Sequence, residues 1–146
     1  MRCSFAGSDT TAIALRAIFD FLMRNPPVYT KLMEEIDTAT AKGQLSIPSV
    51  LYSEAIKLPY LVAVIKESMR LHPSVGMTMP RHVPKGGATL AGIFIAEGYR
   101  VGMNPAVIHY NTSLFGEDAA EFNPDRWLQE DTANMDRHML HVCIRF

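Results

Sequence analysis

The chain has 146 residues, a formal net charge of -1, a hydrophobic share of 48% and a charged share of 20%. This length accommodates one domain at most, and these proportions exclude an intrinsically disordered or collagen-like chain. Because a nucleic-acid-binding face needs a surplus of positive charge, the near-neutral balance also argues against a nucleic acid partner.

The cysteine content and the apolar runs indicate where the chain resides. Two cysteines, Cys3 and Cys143, are too few to hold a small secreted fold together with several disulfides, so a reducing, cytosol-facing compartment is expected. The residues after Met1 do not have the pattern of a signal peptide. Charges or prolines interrupt every apolar stretch before about 18 residues, so no transmembrane segment is predicted.

Four helices are predicted in the first half of the chain. The first has an apolar face at helical spacing and ends at Asn25, before two prolines. A second helix begins at those prolines and ends near Gly43. A short helix is expected over 53–57, and a longer one begins at Pro59 and continues through Leu71.

Short strands are predicted after Pro73, where prolines and glycines divide the chain into brief apolar runs. The predicted strands cover 78–82, 89–90, 93–95 and 99–103. Ala91-Gly92, between the second and the third, favours a tight hairpin. Loops with short helical turns are expected from 104 to 140. Helices followed by a small sheet indicate a mainly α fold with a small β part.

The segment 6–11 reads AGSDTT and combines small residues with an acid and alcohols. Small residues let a ligand approach the backbone, and an acid beside a hydroxyl provides a route for protons. A threonine hydroxyl inside a helix can also bond the carbonyl of Ala6 and loosen the helix. The alternative is that Ser8 or Asp9 caps a helix that begins here, and the segment by itself favours that cap.

Glu67 and Arg70 are three residues apart and therefore meet on one face of the fourth predicted helix. The apolar stripe of that helix falls on the opposite side. Its members are Leu61, Val64, Ile65 and Met69. Taken alone, the pattern predicts a solvated ion pair that contributes less than ~1 kcal/mol.

A third segment, 122–127, reads FNPDRW. Pro124 fixes a turn, and the aromatic side chains of Phe122 and Trp127 would anchor that turn to a core. The planar guanidinium of Arg126 can clamp a distant carboxylate. The alternative is an ordinary loop with a surface arginine.

Together, and in this order, the three segments resemble the cytochrome P450 family of haem-thiolate monooxygenases. Segment 6–11 is similar to the family's Ala/Gly-Gly-x-Asp/Glu-Thr-Thr/Ser motif on its long central helix. Glu67 and Arg70 match its Glu-x-x-Arg, and 122–127 matches its Phe-x-Pro-x-Arg-Trp/Phe. The resemblance implies the family's fold, again mainly α with a small β part.

The resemblance extends from Ala6 to about Leu140, and 136–140 is similar to fungal members. It implies that residues 1–146 are a single partial domain from the C-terminal half of a longer enzyme. The complete enzyme would use haem, dioxygen and electrons from a reductase to insert one oxygen atom into a small organic substrate. The full-length relative is expected to face the cytoplasm from an anchor in the endoplasmic reticulum membrane.

The resemblance also implies roles for single residues. Thr10 would stand beside the oxygen-binding side of the haem iron, and Asp9 would supply it with protons. Glu67, Arg70 and Arg126 would form a buried charge triad that supports the haem-side core. This expectation replaces the interpretation of Glu67 and Arg70 as a solvated pair.

Three further residues are candidates for contact with haem. Arg81 matches the position at which many members contact a haem propionate, and His109 is a second candidate for that contact, with a structural role as its alternative. Cys143 is the candidate iron ligand. The family's ligand lies in a Phe-x-x-Gly-x-Arg-x-Cys-x-Gly loop, whose glycines and arginine are missing around Cys143. Because that loop hydrogen-bonds the sulfur, we expect no haem-thiolate centre in this chain as written.

Other interpretations remain open. His138, His141 and Cys143 could bind a metal, although three ligands leave a tetrahedral site incomplete. Residues 111–113 (NTS) fit a glycosylation acceptor, which matters only in a secreted protein. A truncated, non-catalytic chain without haem and a small helical interaction module are the competing functions, and the second does not account for the three motifs.

Overall fold

Helices make up most of the regular structure. The structure is a computed structural model that describes residues 3–140, with side chains from Gly7 onward. The first half contains α1 (Cys3–Arg24), α2 (Pro26–Ala41), α3 (Tyr52–Ala55) and α4 (Pro59–Leu71). The second half contains α5 (Pro105–Ile108), α6 (Thr112–Phe115), a 3-10 helix (Pro124–Leu128) and α7 (Ala133–His138). The mainly α fold predicted from the sequence is confirmed.

Most helix boundaries follow the residues that predicted them, although the short helix expected over 53–57 spans Tyr52–Ala55. Gly43, with φ +66°, ends α2, and the N–H of Gln44 donates to the carbonyl of Ala39 across the helix end. Helix α1, however, already runs from Cys3. Segment 6–11 therefore lies inside a helix, and the interpretation of Ser8 or Asp9 as its cap is wrong.

Within residues 3–140, four short strands form two antiparallel pairs. Strand β1 (Arg81–His82) pairs with β4 (Arg100–Val101), and β2 (Ala88–Leu90) pairs with β3 (Ile93–Ile95). Between β2 and β3, Ala91 has φ +49° and Gly92 has φ +78°. Two consecutive positive φ values are typical of the type I′ turn that matches the twist of a hairpin, so the predicted hairpin is confirmed.

Helix α4 lies between two apolar clusters and contributes residues to both. One cluster joins it to the other long helices, α1 and α2, and the other joins it to the C-terminal part of the chain. The first consists of Leu22, Leu32, Tyr60 and Val64. The second consists of Ala63, Phe115, Ala119, Trp127, Met135 and Met139. Because both faces of α4 are covered, the polar side chains of Glu67, Ser68 and Arg70 on this helix are buried too.

The N-terminus of α4 is held by a side chain from α2. Pro59 occupies the first turn, where its missing N–H leaves no unsatisfied donor. The next two N–H groups, of Tyr60 and Leu61, each donate to a carboxylate oxygen of Glu35 at 2.9 Å. A negative charge at this end also complements the helix dipole.

Candidate functional site

The face of α4 that carries Glu67 and Arg70 is the most deeply buried part of the helix. Both side chains are 0% exposed. Leu61 and Ile65, which belong to the predicted apolar stripe, are only half-buried. The interpretation of Glu67 and Arg70 as a solvated pair is therefore wrong, because the C-terminal part of the chain covers the side that was assigned to solvent.

The carboxylate of Glu67 is the centre of a hydrogen-bonded charge cluster. Its Oε1 accepts from Nη2 of Arg70 at 2.9 Å and from Nε of Arg126 at 3.0 Å. The backbone N–H of Asn123 donates to the same oxygen at 3.0 Å. Its Oε2 accepts from Nε of Arg70 at 2.9 Å and from the indole Nε1 of Trp127 at 2.8 Å. The predicted meeting of Glu67, Arg70 and Arg126 is thus confirmed.

Arg70 uses its remaining N–H groups on backbone carbonyls. Nη1 donates to the carbonyls of His109 and Ala119, both at 2.6 Å, and Nη2 donates to that of Glu121 at 3.2 Å. With the two bonds to Glu67, all five guanidinium donors are satisfied. Arg70 therefore fixes the course of the chain over residues 109–121.

Arg126 is satisfied in the same way by Glu67 and Asp118. Its Nη1 and Nη2 donate to the two carboxylate oxygens of Asp118 at 3.0 and 2.9 Å, and Nη2 also donates to the Asp118 carbonyl at 3.0 Å. Nη1 further donates to the carbonyl of Phe115. Burial opposes the charge of Arg126, but the bonds and charges of Asp118 and Glu67 outweigh it and raise the pKa of the guanidinium.

Asp118 completes the charge balance of the cluster. The amide of Asn123 donates to Oδ2 of Asp118 at 2.9 Å. This bond, together with the neighbouring Arg126, holds the pKa of the carboxyl below its usual range despite partial burial. Two guanidinium groups therefore face two carboxylates, which is the arrangement that a buried ionic cluster needs.

His109 belongs to the structural network. It is 0% exposed, and its Nδ1 lies 2.9 Å from the carbonyl oxygen of Arg70. Its Nε2 accepts from the backbone N–H of Leu140 at 2.9 Å, so the ring proton is on Nδ1. Both nitrogens are engaged within the chain, which favours the structural alternative for His109 and leaves Arg81 as the better candidate for a propionate contact.

Arg81 lies on the exposed strand β1 and has the chemistry that a propionate requires. Its guanidinium donates from Nη1 to the carbonyl of Pro80 at 3.1 Å. Between residues 3 and 140 no carboxylate pairs with Arg81, so its other donors can serve a carboxylate of haem. The residue present thus fits this part of the cofactor.

The predicted iron ligand cannot be placed. Cys143 and His141 lie outside the described residues, and Nδ1 of His138 lies 2.8 Å from the carbonyl oxygen of Asn134 in its own helix. The described part of the chain contains no group of three or more His, Cys, Asp or Glu residues arranged to hold a metal ion. Between residues 3 and 140 there is also no helix with the length and apolar character needed to cross a membrane.

The second candidate region is the part of α1 that carries Asp9 and Thr10. Asp9 is exposed and Thr10 is half-buried. Gly7 precedes Thr10 by three residues, so the two lie on the same helix face. A Cβ added to Gly7 would meet nothing within 4 Å, which leaves open space beside Thr10. The Thr10 carbonyl accepts from the hydroxyl of Ser74 at 2.9 Å, a contact that the sequence did not predict.

Comparison with known proteins agrees with this geometry. A family model described as Cytochrome P450 matches residues 1–141. The cytochrome P450 monooxygenase ACRTS1 of Alternaria alternata is 50% identical over 124 residues, which are 85% of this chain and 33% of that protein. The cytochrome P450 monooxygenase gsfF of Penicillium aethiopicum is 47% identical over 133 residues, which are 90% of this chain and 26% of that protein.

A pisatin demethylase of Fusarium vanettenii is 45% identical over 124 residues, which are 85% of this chain and 24% of that protein. The chain thus spans about a quarter to a third of the length of these curated relatives. All three come from fungi, as the similarity of 136–140 indicated. With its three motifs, its buried charge cluster and these matches, the chain belongs to the cytochrome P450 family.

Proposed function

We propose that the whole protein is a haem-dependent monooxygenase that inserts one oxygen atom from dioxygen into a small organic substrate. The observation that supports this most is the cluster of Glu67, Arg70 and Arg126, which unites two of the motifs that define the resemblance. Relatives named as monooxygenases support it as well. Haem, when bound, would supply the iron at which dioxygen is activated, and an electron-donating reductase would supply the electrons.

In this proposal Asp9 and Thr10 move protons. The exposed carboxylate of Asp9 exchanges protons with bulk water, and the half-buried hydroxyl of Thr10 can hold and donate a proton on the same turn of α1. Gly7 contributes by having no side chain, because the open space beside it lets a reactant approach Thr10.

The remaining candidate residues would hold the haem or stabilise the fold around it. Arg81 would bind a propionate of haem through the donors of its exposed guanidinium. Glu67, Arg70 and Arg126 do not contact the reactants in this proposal. They fix 109–127 against α4 and so keep the haem-side core in place.

The proposal for the whole enzyme is tested in a chimera of the Fusarium pisatin demethylase, in which this chain's residues 7–140 replace the aligned ones. The measured quantities are the rate at which demethylated product forms and the amount of that product formed per dioxygen consumed, with formaldehyde as the second product that carries the inserted oxygen atom. Asp9→Asn or Thr10→Ala should lower the rate of product formation by about 10² or more, the usual contribution of general acid catalysis. Thr40→Val, on α2, serves as the control.

If the Asp9→Asn and Thr10→Ala chimeras convert pisatin as fast as the unsubstituted chimera, these residues do not deliver protons and the proposal fails. Because the chimera keeps the pisatin demethylase's own flanking segments, loss of haem is checked independently from its absorption spectrum.

The sequence around Cys143 favours a second candidate. In it, this chain has no catalytic function of its own, because it does not bind haem through a cysteine thiolate. That segment lacks the glycines and the arginine of the family's ligand loop. Reduced protein of this chain, reconstituted with haem and exposed to carbon monoxide, should not show the red-shifted Soret band of thiolate ligation. A band that appears, and is lost in Cys143→Ala, would contradict this expectation.

A further inference from the structure

Ser74 connects the segment after α4 to the turn of α1 that carries Thr10. Its hydroxyl donates to the carbonyl oxygen of Thr10 at 2.9 Å, and the contact is partly buried. The preceding residue, Pro73, is buried and has a fixed φ, which narrows the backbone conformations available just before the serine. The bond therefore joins the turn of α1 that carries Thr10 to the segment that follows α4.

Three hydroxyl-to-carbonyl bonds in the long helices are local, whereas the hydroxyl of Tyr110 reaches the Leu71 carbonyl at the end of α4 from another segment at 3.2 Å. Thr30, Thr40 and Ser68 each donate to the carbonyl four residues earlier in the same helix. Bonds of that kind leave the position of a helix relative to its neighbours undetermined. The bond from Ser74 crosses from one segment to another, and so it does determine how a turn of α1 is placed.

A carbonyl inside an α-helix normally accepts the N–H four residues later, which for Thr10 is that of Ala14. A second donor on the same oxygen holds the peptide group from outside the helix. Because the side chain of Thr10 begins at the Cα next to this peptide group, the point from which that side chain extends is held as well.

We propose that Ser74 is a positioning residue for Thr10. By holding the Thr10 peptide group, it fixes the point on α1 from which the Thr10 side chain extends, on the same helix face as the open space beside Gly7. This inference rests on the proposed function, in which Thr10 donates a proton. It adds a residue outside the three motifs to the proton-transfer part of the site.

The bond itself is tested in this chain by the carbonyl ¹³C resonance of Thr10. In Ser74→Ala the resonance should shift upfield, because the carbonyl loses a donor, and in Ser74→Thr it should return. Thr40→Val, which removes a hydroxyl-to-carbonyl bond of similar length elsewhere, should leave the Thr10 resonance unchanged. Far-UV circular dichroism reports whether each variant is folded.

The role is tested in the chimera with pisatin demethylase. Loss of one hydrogen bond corresponds to about a two- to tenfold change, so Ser74→Ala should lower product per dioxygen consumed by about that factor. Ser74→Thr should restore it. Combined with Thr10→Ala, the Ser74 substitution should cause no further loss, because Ser74 acts through Thr10.

The outcomes separate the two proposals. If Thr10→Ala impairs the chimera and Ser74→Ala does not, the positioning role is overturned while the proposed function stands. If Thr10→Ala has no effect, the proposed function fails and this inference fails with it. Impairment in Ser74→Ala that Ser74→Thr does not relieve indicates a packing defect and also overturns the inference.

Discussion

Two consecutive residues of α4 make ion pairs of opposite character. Lys66 bonds Asp136 of α7 at 2.6 Å, with side chains that are 33% and 43% exposed. Glu67 bonds Arg126 at 3.0 Å, with side chains that are 0% and 4% exposed. Both pairs join α4 to the C-terminal part of the chain, so sequence separation does not distinguish them. Burial and the number of partners do.

The difference shows what each pair loses when it is broken. Water replaces the partner of an exposed charge, and Lys66 keeps its position 5.0 Å from the centre of the Trp127 ring. The side chains of Arg70 and Arg126 are 0% and 4% exposed, so little solvent could replace Glu67, and the two guanidinium groups would be left facing each other. Loss of a partner therefore lowers the free energy of unfolding far more in the buried cluster than in the exposed pair.

The largest effect is expected for Glu67→Gln. The substitution removes the negative charge between two buried guanidinium groups, so the free energy of unfolding should fall by about 3–5 kcal/mol. Urea denaturation followed by circular dichroism measures it. Glu34→Gln, on the exposed side of α2, is the matched control and should change stability by less than about 0.5 kcal/mol. A loss of under about 1 kcal/mol in Glu67→Gln would remove the contrast between the two pairs.

Arg126→Lys separates charge from geometry. Lysine keeps the positive charge but offers three donors from one atom, and it cannot serve Glu67, Asp118 and the carbonyl of Phe115 together. We expect a loss of about 2–3 kcal/mol, since two or more buried acceptors lose their donors. Arg24→Lys, in an exposed pair with Asp20, is the control. Equal melting curves for the two variants would show that charge alone suffices.

A smaller effect is expected for the loss of folding stability at low pH. The pKa of Asp118 is lowered by its bond from Asn123 and by Arg126, so its charge stabilises the fold above the unfolded value of 3.8. This stabilisation is lost as the pH falls through the lower folded pKa. Because the side chain is 38% exposed, we expect less than about 1 kcal/mol.

The acid effect is measured as the difference in unfolding free energy between the natural chain and Asp118→Asn, from about pH 6 down to about pH 3. The difference should be largest at the upper end and shrink toward acid. A difference that stays constant over this interval would mean that Asp118 is not ionised in the cluster.

The smallest effect is expected for Lys66→Met. Methionine can still pack on Trp127 but loses both the exposed pair with Asp136 and the ammonium over the ring, so the change should be about 0.5 kcal/mol. Raising the salt concentration from about 0.05 to 0.5 M should reduce it further, because salt screens exposed charges. A larger change in the free energy of unfolding, or one that does not depend on salt, would show that the Lys66 pair behaves like the buried cluster.

Residues that restrict their own backbone predicted the helices and the hairpin well. The structural context of individual side chains was predicted poorly. Pro59 and the His72-Pro73 pair gave the bounds of α4, and Ala91-Gly92 gave the hairpin, because these residues restrict their own backbone. The cap interpretation of Ser8 and Asp9 failed because the same residues occur at helix starts and inside functional helices.

The charge cluster needed more than local pattern. The position of the apolar stripe predicted that Glu67 is exposed to solvent, because an amphipathic helix is assumed to turn its polar face to water. The resemblance corrected this for Glu67, Arg70 and Arg126. Asp118 and Asn123 were not predicted as partners because their contacts depend on how the loop after α6 closes over α4. Nothing in sequence spacing encodes that closure.

The bond between Glu35 and the start of α4 has a consequence for the angle at which this helix sits about its own long axis. A rotation by one residue, about 100°, would swing Glu67 away from Arg126. The carboxylate of Glu35 receives two successive N–H groups and so prevents that rotation at one end, as the cluster does at the other. An acid in α2 thereby helps to set the direction in which Glu67 points.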